Sequence, residues 1–165
     1  MLCINKGVTI LLFFEIATTI LMVVCAVVGC SISIFTYRRS MLDAIWQWTQ
    51  LDGRQDVISA RQFVQYELIA NYNPSDIRAN KDGAATKIAP ITNAYHHLGM
   101  LVKQRYIPVS IFKNNSTGKT IVIIYEKLLP YITEVRKEHN THYASGFEYL
   151  YNKVKKYYLT IPAKS

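Results

Sequence analysis

Gly118-Lys119-Thr120 has the form of the tail of a phosphate-binding loop. Such a loop needs a strand, a first glycine five positions earlier and a helix, so that backbone amides wrap the phosphates. Lys113 stands where that first glycine belongs. No apolar strand ending in aspartate is available to hold magnesium. The triplet therefore reads as a polar cap before a helix. The histidines are His96, His97, His139 and His142. With Glu126 and Glu138 they are a candidate zinc set, but adjacent histidines on a helix point apart, and surface or partly buried roles are expected. The sequence shows no paired carboxylates, no serine elbow, no dinucleotide fingerprint and no nucleophilic cysteine after residue 30. No cofactor and no metal is expected, and a non-enzyme is favoured.

Arg136 and His142 are separated by five residues near a helix end. The pair resembles the arginine–histidine motif of helical ribonucleases of the HEPN class. That resemblance implies a histidine acting as acid or base and an arginine stabilising phosphate charge. Farther on, Lys153, Lys155 and Lys156 interleave with Tyr149, Tyr151, Tyr157 and Tyr158. A face built from Tyr149, Lys153, Lys155, Lys156 and Tyr157 suits anionic headgroups or, less well, single-stranded nucleic acid. The alternative is a core helix whose outer face is covered by lysine. The formal charge of +8 lies wholly after residue 30 and fits either acidic partner.

The elements that must position these residues begin with an apolar run. Residues 16–35 contain no charged side chain. At about 1.5 Å per residue they span a hydrocarbon layer of about 30 Å. Glu15 is expected at the headgroup level or protonated. Cys25, Gly29 and Ser33 recur every four residues and make a small-residue stripe that lets another helix approach. Tyr37, Arg38, Arg39, Trp46 and Trp48 supply aromatic and positive groups for the membrane interface, with packing on the domain the alternative for the two tryptophans. Val27-Val28-Gly29-Cys30 also has the form of a lipoprotein site, but the stretch before it is long for a signal and residues 32–35 continue the run. The expected organisation is a flank (1–7), a transmembrane helix (8–36), a juxtamembrane helix or linker (37–56), a helical domain (57–159) and a tail (160–165).

Within the domain, periodicity predicts a helix over 58–72 with Phe63, Tyr66, Ile69 and Ala70 facing inward, widened by Val64 and Leu68. Asn73-Pro74-Ser75-Asp76 stops it, with Ser75 as the next cap. A second helix is expected over 86–104, with Ile88, Ile91, Tyr95, Leu98 and Val102 inward and Pro90 in its first turn. A helical turn or short strand comes next, near 109–112. A long helix is expected over 120–139 with Ile121, Ile124, Leu128, Ile132 and Val135 inward and a kink at Pro130. The last covers 143–159, with Tyr143, Phe147, Leu150, Val154 and Tyr157 inward. The fold class is all-α: one N-terminal transmembrane helix and a compact bundle of about five helices.

Four stretches carry a wider likeness. They are Gln65-Tyr66-Glu67-Leu68-Ile69-Ala70; Leu98-Gly99-Met100-Leu101-Val102-Lys103; Tyr125-Glu126-Lys127-Leu128-Leu129-Pro130-Tyr131-Ile132 with Arg136; and Tyr143 followed by Phe147-Glu148-Tyr149-Leu150. In order and spacing the chain resembles a bacterial family of single-pass membrane proteins known as a domain of unknown function, over roughly residues 30–150. The resemblance implies a membrane helix and a helical cytoplasmic domain, and no catalytic residues. The segment 114–120 is longer and more polar than that pattern. The expectation is a membrane-anchored interaction or adaptor module in the bacterial inner membrane. Its partners would be the bilayer and another membrane protein or a second copy. A membrane-tethered HEPN-like ribonuclease and an anionic-lipid-binding domain are the alternatives.

Overall fold

The structure, a computed structural model, describes residues 5–113, 115–138 and 141–159. These are 88 % helical with no strand. One long apolar helix is followed by a helical bundle, as the patterning predicts. The chain divides into two compact units, Met1–Leu42 and Asp43–Ser165.

The first unit is the apolar part of α1 (Asn5–Asp52). From Leu12 onward α1 contains an 18-residue window of mean hydropathy 2.3, none of it buried. That is long and apolar enough to cross a membrane. Its polar side chains find acceptors inside the helix. Thr19 donates to the Glu15 carbonyl (2.7 Å), Ser31 to Val27 (2.8 Å) and Ser33 to Gly29 (2.8 Å). Hydroxyls paired this way carry little penalty in an apolar surrounding.

The second unit begins with the last turns of α1, where Ala44 and Trp48 are buried. Next come α2 (Gln55–Gln62), a π turn (Phe63–Glu67) and α3 (Leu68–Asn71). The π turn widens the helical repeat and rotates the side chains after it. Phe63, Val64 and Leu68 are buried, whereas Tyr66 is 76 % and Ile69 is 66 % exposed. Ala70 is exposed as well. The inward face expected for Tyr66, Ile69 and Ala70 is thereby corrected, because a strict 3.6-residue period does not hold across the turn. Lys127 donates its ammonium to the Gln65 carbonyl, inside this turn.

Asn73, not Ser75, caps α4 (Pro74–Arg78). Its side chain accepts from the Asp76 N–H (2.9 Å), and Asp76 accepts in return from the Asn73 N–H (3.2 Å). Left-handed residues Asn80, Asp82 and Gly83 turn the chain into α5 (Ala84–Lys103). Pro90 therefore sits in the interior of α5 rather than in its first turn. A 3₁₀ turn, Val109–Phe112, precedes α6 (Ser116–Glu138), which continues through Pro130, and α7 is Ser145–Leu159.

Glycine lets α5 and α7 meet backbone to backbone. A methyl group at Gly99 would lie 1.8 Å from the Gly146 carbonyl oxygen, and one at Gly146 would lie 2.4 Å from that of His96. A row of rings crosses the core beside this contact. Trp48 meets Tyr95 (5.6 Å between centroids), Tyr95 meets Phe147 (5.0 Å), Phe147 meets Tyr125 (5.0 Å) and Tyr125 stacks on Tyr151 (4.3 Å). Trp48, expected at the membrane interface with Trp46, is 7 % exposed in this core, while Trp46 is 65 % exposed. The two side chains are two positions apart on a helix, so they cannot share a face.

Candidate functional site

A small polar cavity of about 100 Å³ lies where the end of α1, α2, α5 and the start of α6 converge. It is lined by Asp52, Arg61, Tyr95, Ser116, Thr117 and Thr120. Arg61 donates to the Asp52 carboxylate, and both side chains are about three-quarters buried, at 24 % and 27 % exposure. Burial pushes the Asp52 carboxyl above its usual range, with Arg61 pulling it back. Tyr95 is fully buried, and its hydroxyl and Arg61 Nε are buried without a hydrogen-bond acceptor. Burial raises the Tyr95 phenol to about 12, so it stays a neutral O–H. Ser116, Thr117 and Thr120 bring hydroxyls from the first turns of α6. The cavity thus faces its contents with several donors and one carboxylate.

No spacing in the sequence marks this site, because its charged and phenolic groups come from three helices. The one signal along the chain is the hydroxyl of Tyr95 on an otherwise apolar stripe. Periodicity alone assigns that residue to the core and says nothing of its hydroxyl.

Two wider hollows flank α2 and α5. The larger, about 670 Å³, contains Asp56, Glu67 and Lys87. Asp56 is bonded by Arg54 (2.7 and 3.1 Å), which holds its carboxyl below the usual range. The Lys87 ammonium rests 5.2 Å from the Phe63 ring centre.

Arg136 is a strut. Its Nε donates to the Tyr143 carbonyl (2.9 Å) and a terminal nitrogen pairs with Glu148 (2.8 Å), tying the end of α6 to the start of α7. His142 is exposed in the intervening turn, where its carbonyl accepts from the Ser145 N–H (3.0 Å). The other terminal nitrogen of Arg136 is buried without a hydrogen-bond partner among the described residues. His96 Nδ1 accepts from the Gly146 N–H (3.2 Å), and burial, then the neighbouring His97, lowers its pKa. His139 and the Glu138 side chain lie outside the described residues. Among the described residues no three ligand-type side chains gather as a metal site would require.

Gly118-Lys119-Thr120 lies in the first turns of α6, with the Gly118 N–H bonded to Asn115 Oδ1 (2.8 Å). Gly118 is required by packing. A methyl group there would lie 2.3 Å from both the Phe112 carbonyl and the Tyr158 hydroxyl. That hydroxyl bridges the carbonyls of Phe112 (2.8 Å) and Asn115 (2.7 Å).

On α7, Lys155 donates to Glu126 (2.9 Å) and sits 4.9 Å from the Tyr151 ring centre. Lys153 lies 5.5 Å from the Tyr149 ring, and Lys113 joins from the 3₁₀ turn at 6.0 Å from Tyr157. Lys156 is exposed. Tyr149 and Tyr157 are half-buried, so the expected basic–aromatic face is partly absorbed by contacts within the domain. In the first unit Cys25, Gly29 and Ser33 are exposed, and a methyl group at Gly29 would meet nothing within 4 Å. Tyr37, Arg38 and Arg39 are exposed too.

No curated protein and no solved structure matches the chain. The family model described as Domain of unknown function (DUF4760) matches residues 16–154, from within the apolar helix to the last turns of α7. The chain belongs to that family, DUF4760.

Proposed function

We propose that this protein is a single-pass, membrane-anchored helical interaction module, an adaptor or subunit of a larger membrane assembly. The unburied apolar run of α1 carries this reading, since a helix surface of that length and hydropathy is what a bilayer covers. The stripe Cys25, Gly29 and Ser33 supplies a face on which a second membrane helix can pack. Tyr66 and Ile69, turned outward by the π turn, are apolar contact area on the second unit. Tethering raises the effective concentration of such a surface toward a membrane-bound partner. Arg38 and Arg39 directly after the run favour residues from 43 onward on the cytoplasmic side of a bacterial inner membrane. The contacts of Arg136 Nε with the Tyr143 carbonyl and of one terminal nitrogen with Glu148 support a structural role for it over the ribonuclease alternative.

Two measurements test this reading. Alkaline extraction of membranes should leave the protein in the pellet, and release into the supernatant would overturn the anchor. Crosslinking in native membranes, with mass spectrometry of the products, should recover one membrane protein or a second copy in stoichiometric amount. Recovery as an uncrosslinked monomer would overturn the interaction role.

A further inference from the structure

We infer that the cavity between Asp52, Arg61, Tyr95 and the first turns of α6 is a binding site for a small protonated oxyanion of the hydrogen-phosphate class. The inference is independent of the membrane role proposed above.

Three observations carry it. First, the cavity sits at the N-terminus of a 23-residue helix, where backbone N–H groups and the helix dipole favour negative charge. Second, a fully buried side chain on its wall has an unanswered donor. Tyr95 is 0 % exposed, its ring is held by Trp48 and Phe147, and its hydroxyl donates to no acceptor among the described residues. The Arg61 guanidinium faces the Tyr95 oxygen on the same wall, which leaves the phenol's own proton without an acceptor. Unanswered buried donors are costly and call for a partner in the space they face. Third, the wall has one acceptor of negative charge among its donors, the Asp52 carboxylate.

Together they define the ligand. It must present several oxygens, to answer Tyr95, Arg61 and the hydroxyls of Ser116, Thr117 and Thr120. It must also present one O–H, because a bare oxygen facing Asp52 would be repelled, whereas a hydroxyl donates to it. A tetrahedral ion that carries protons satisfies both demands, and one that carries none fails the second. The volume of about 100 Å³ admits such an ion and does not enclose a whole nucleotide or sugar ester. Ser116 is exposed and Thr117 is half-buried, which puts the entrance at the first turn of α6.

The test uses the full-length chain in detergent at mildly acid pH, with inorganic phosphate as probe and sulfate as the unprotonated ion of similar shape. Thermal unfolding should shift upward with the logarithm of phosphate concentration and not with sulfate. Tyr95→Phe keeps the ring and removes the donor, and should weaken the phosphate response roughly tenfold. Thr120→Val is a second variant on another helix and should weaken it in the same direction. No response to phosphate would overturn the inference and leave the cavity to water. Equal responses to the two ions, or a phosphate response that survives both substitutions, would overturn it as well, because that is how excluded salts act on any protein.

Discussion

Gly99 and Gly146 allow α5 and α7 to touch through their backbones, and neither position has space for a methyl group. Gly99→Ala should therefore destabilise the second unit by about 3 kcal/mol, read as a lower denaturant midpoint. A loss below about 1 kcal/mol would mean the helices can separate without penalty. His96 adds a pH dependence at the same crossing. Its Nδ1 accepts the Gly146 N–H, so protonation there breaks a hydrogen bond. Burial, then the neighbouring His97, holds its pKa below the ordinary histidine value in the folded state. The unfolded chain then binds the proton more readily. Stability is fully present above that ordinary value and declines as pH falls through it. Urea midpoints should drop on acidification across this window, and His96→Gln should flatten the drop. Glu126 acts in the same direction at lower pH. Its bonds from Lys155 and Tyr151 depress its pKa, and their contribution is lost as the carboxylate protonates. None of these pairings could be read from spacing, since the partners of Gly99, His96 and Glu126 are 25 or more positions away.

The π turn at Phe63–Glu67 sets which face of its helix is buried. Leu68→Ala should cost about 2–5 kcal/mol, while Tyr66→Ala and Ile69→Ala, on exposed positions, should each fall within about 0.5 kcal/mol of the parent. The opposite ranking in a denaturation series would restore the regular helical register. The cap of α4 is a second element-level test. Asn73→Ala removes the acceptor for the Asp76 N–H and should cost about 1 kcal/mol, whereas Ser75→Ala should cost less. Elsewhere the 3.6-residue period is reliable. Ile88, Ile91, Tyr95, Leu98 and Val102 on α5, and Ile121, Ile124, Leu128 and Ile132 on α6, are buried as their spacing predicts, and Val135 is half-buried against them. The period fails where the backbone leaves α geometry, because a π turn changes the angle between successive side chains without leaving a mark in composition.

For the whole molecule, α1 belongs to both units: its apolar run lies in the first, and its last turns supply Ala44, Trp48 and Asp52 to the second. A chain that starts at residue 53 would lose the Trp48 ring from the aromatic row and the Asp52 partner of Arg61. Removal of a buried tryptophan alone costs about 3–5 kcal/mol, so this truncation should fail to unfold cooperatively, whereas one starting at residue 43 should retain a sharp transition. Equal behaviour of the two would remove Trp48 from the core. The sequence by itself determined the all-helical class, the long apolar helix and most of the buried stripes, since these depend on hydropathy and period along one segment. It also carried the family likeness, through the helix-packing motifs. Only the tertiary structure decided that Trp48 is a core residue, that Arg136 is a strut and that Gly118 makes room for Tyr158. The polar cavity was decided there too. Each of these depends on groups brought together from separate helices, and neither composition nor local spacing records which helices will meet.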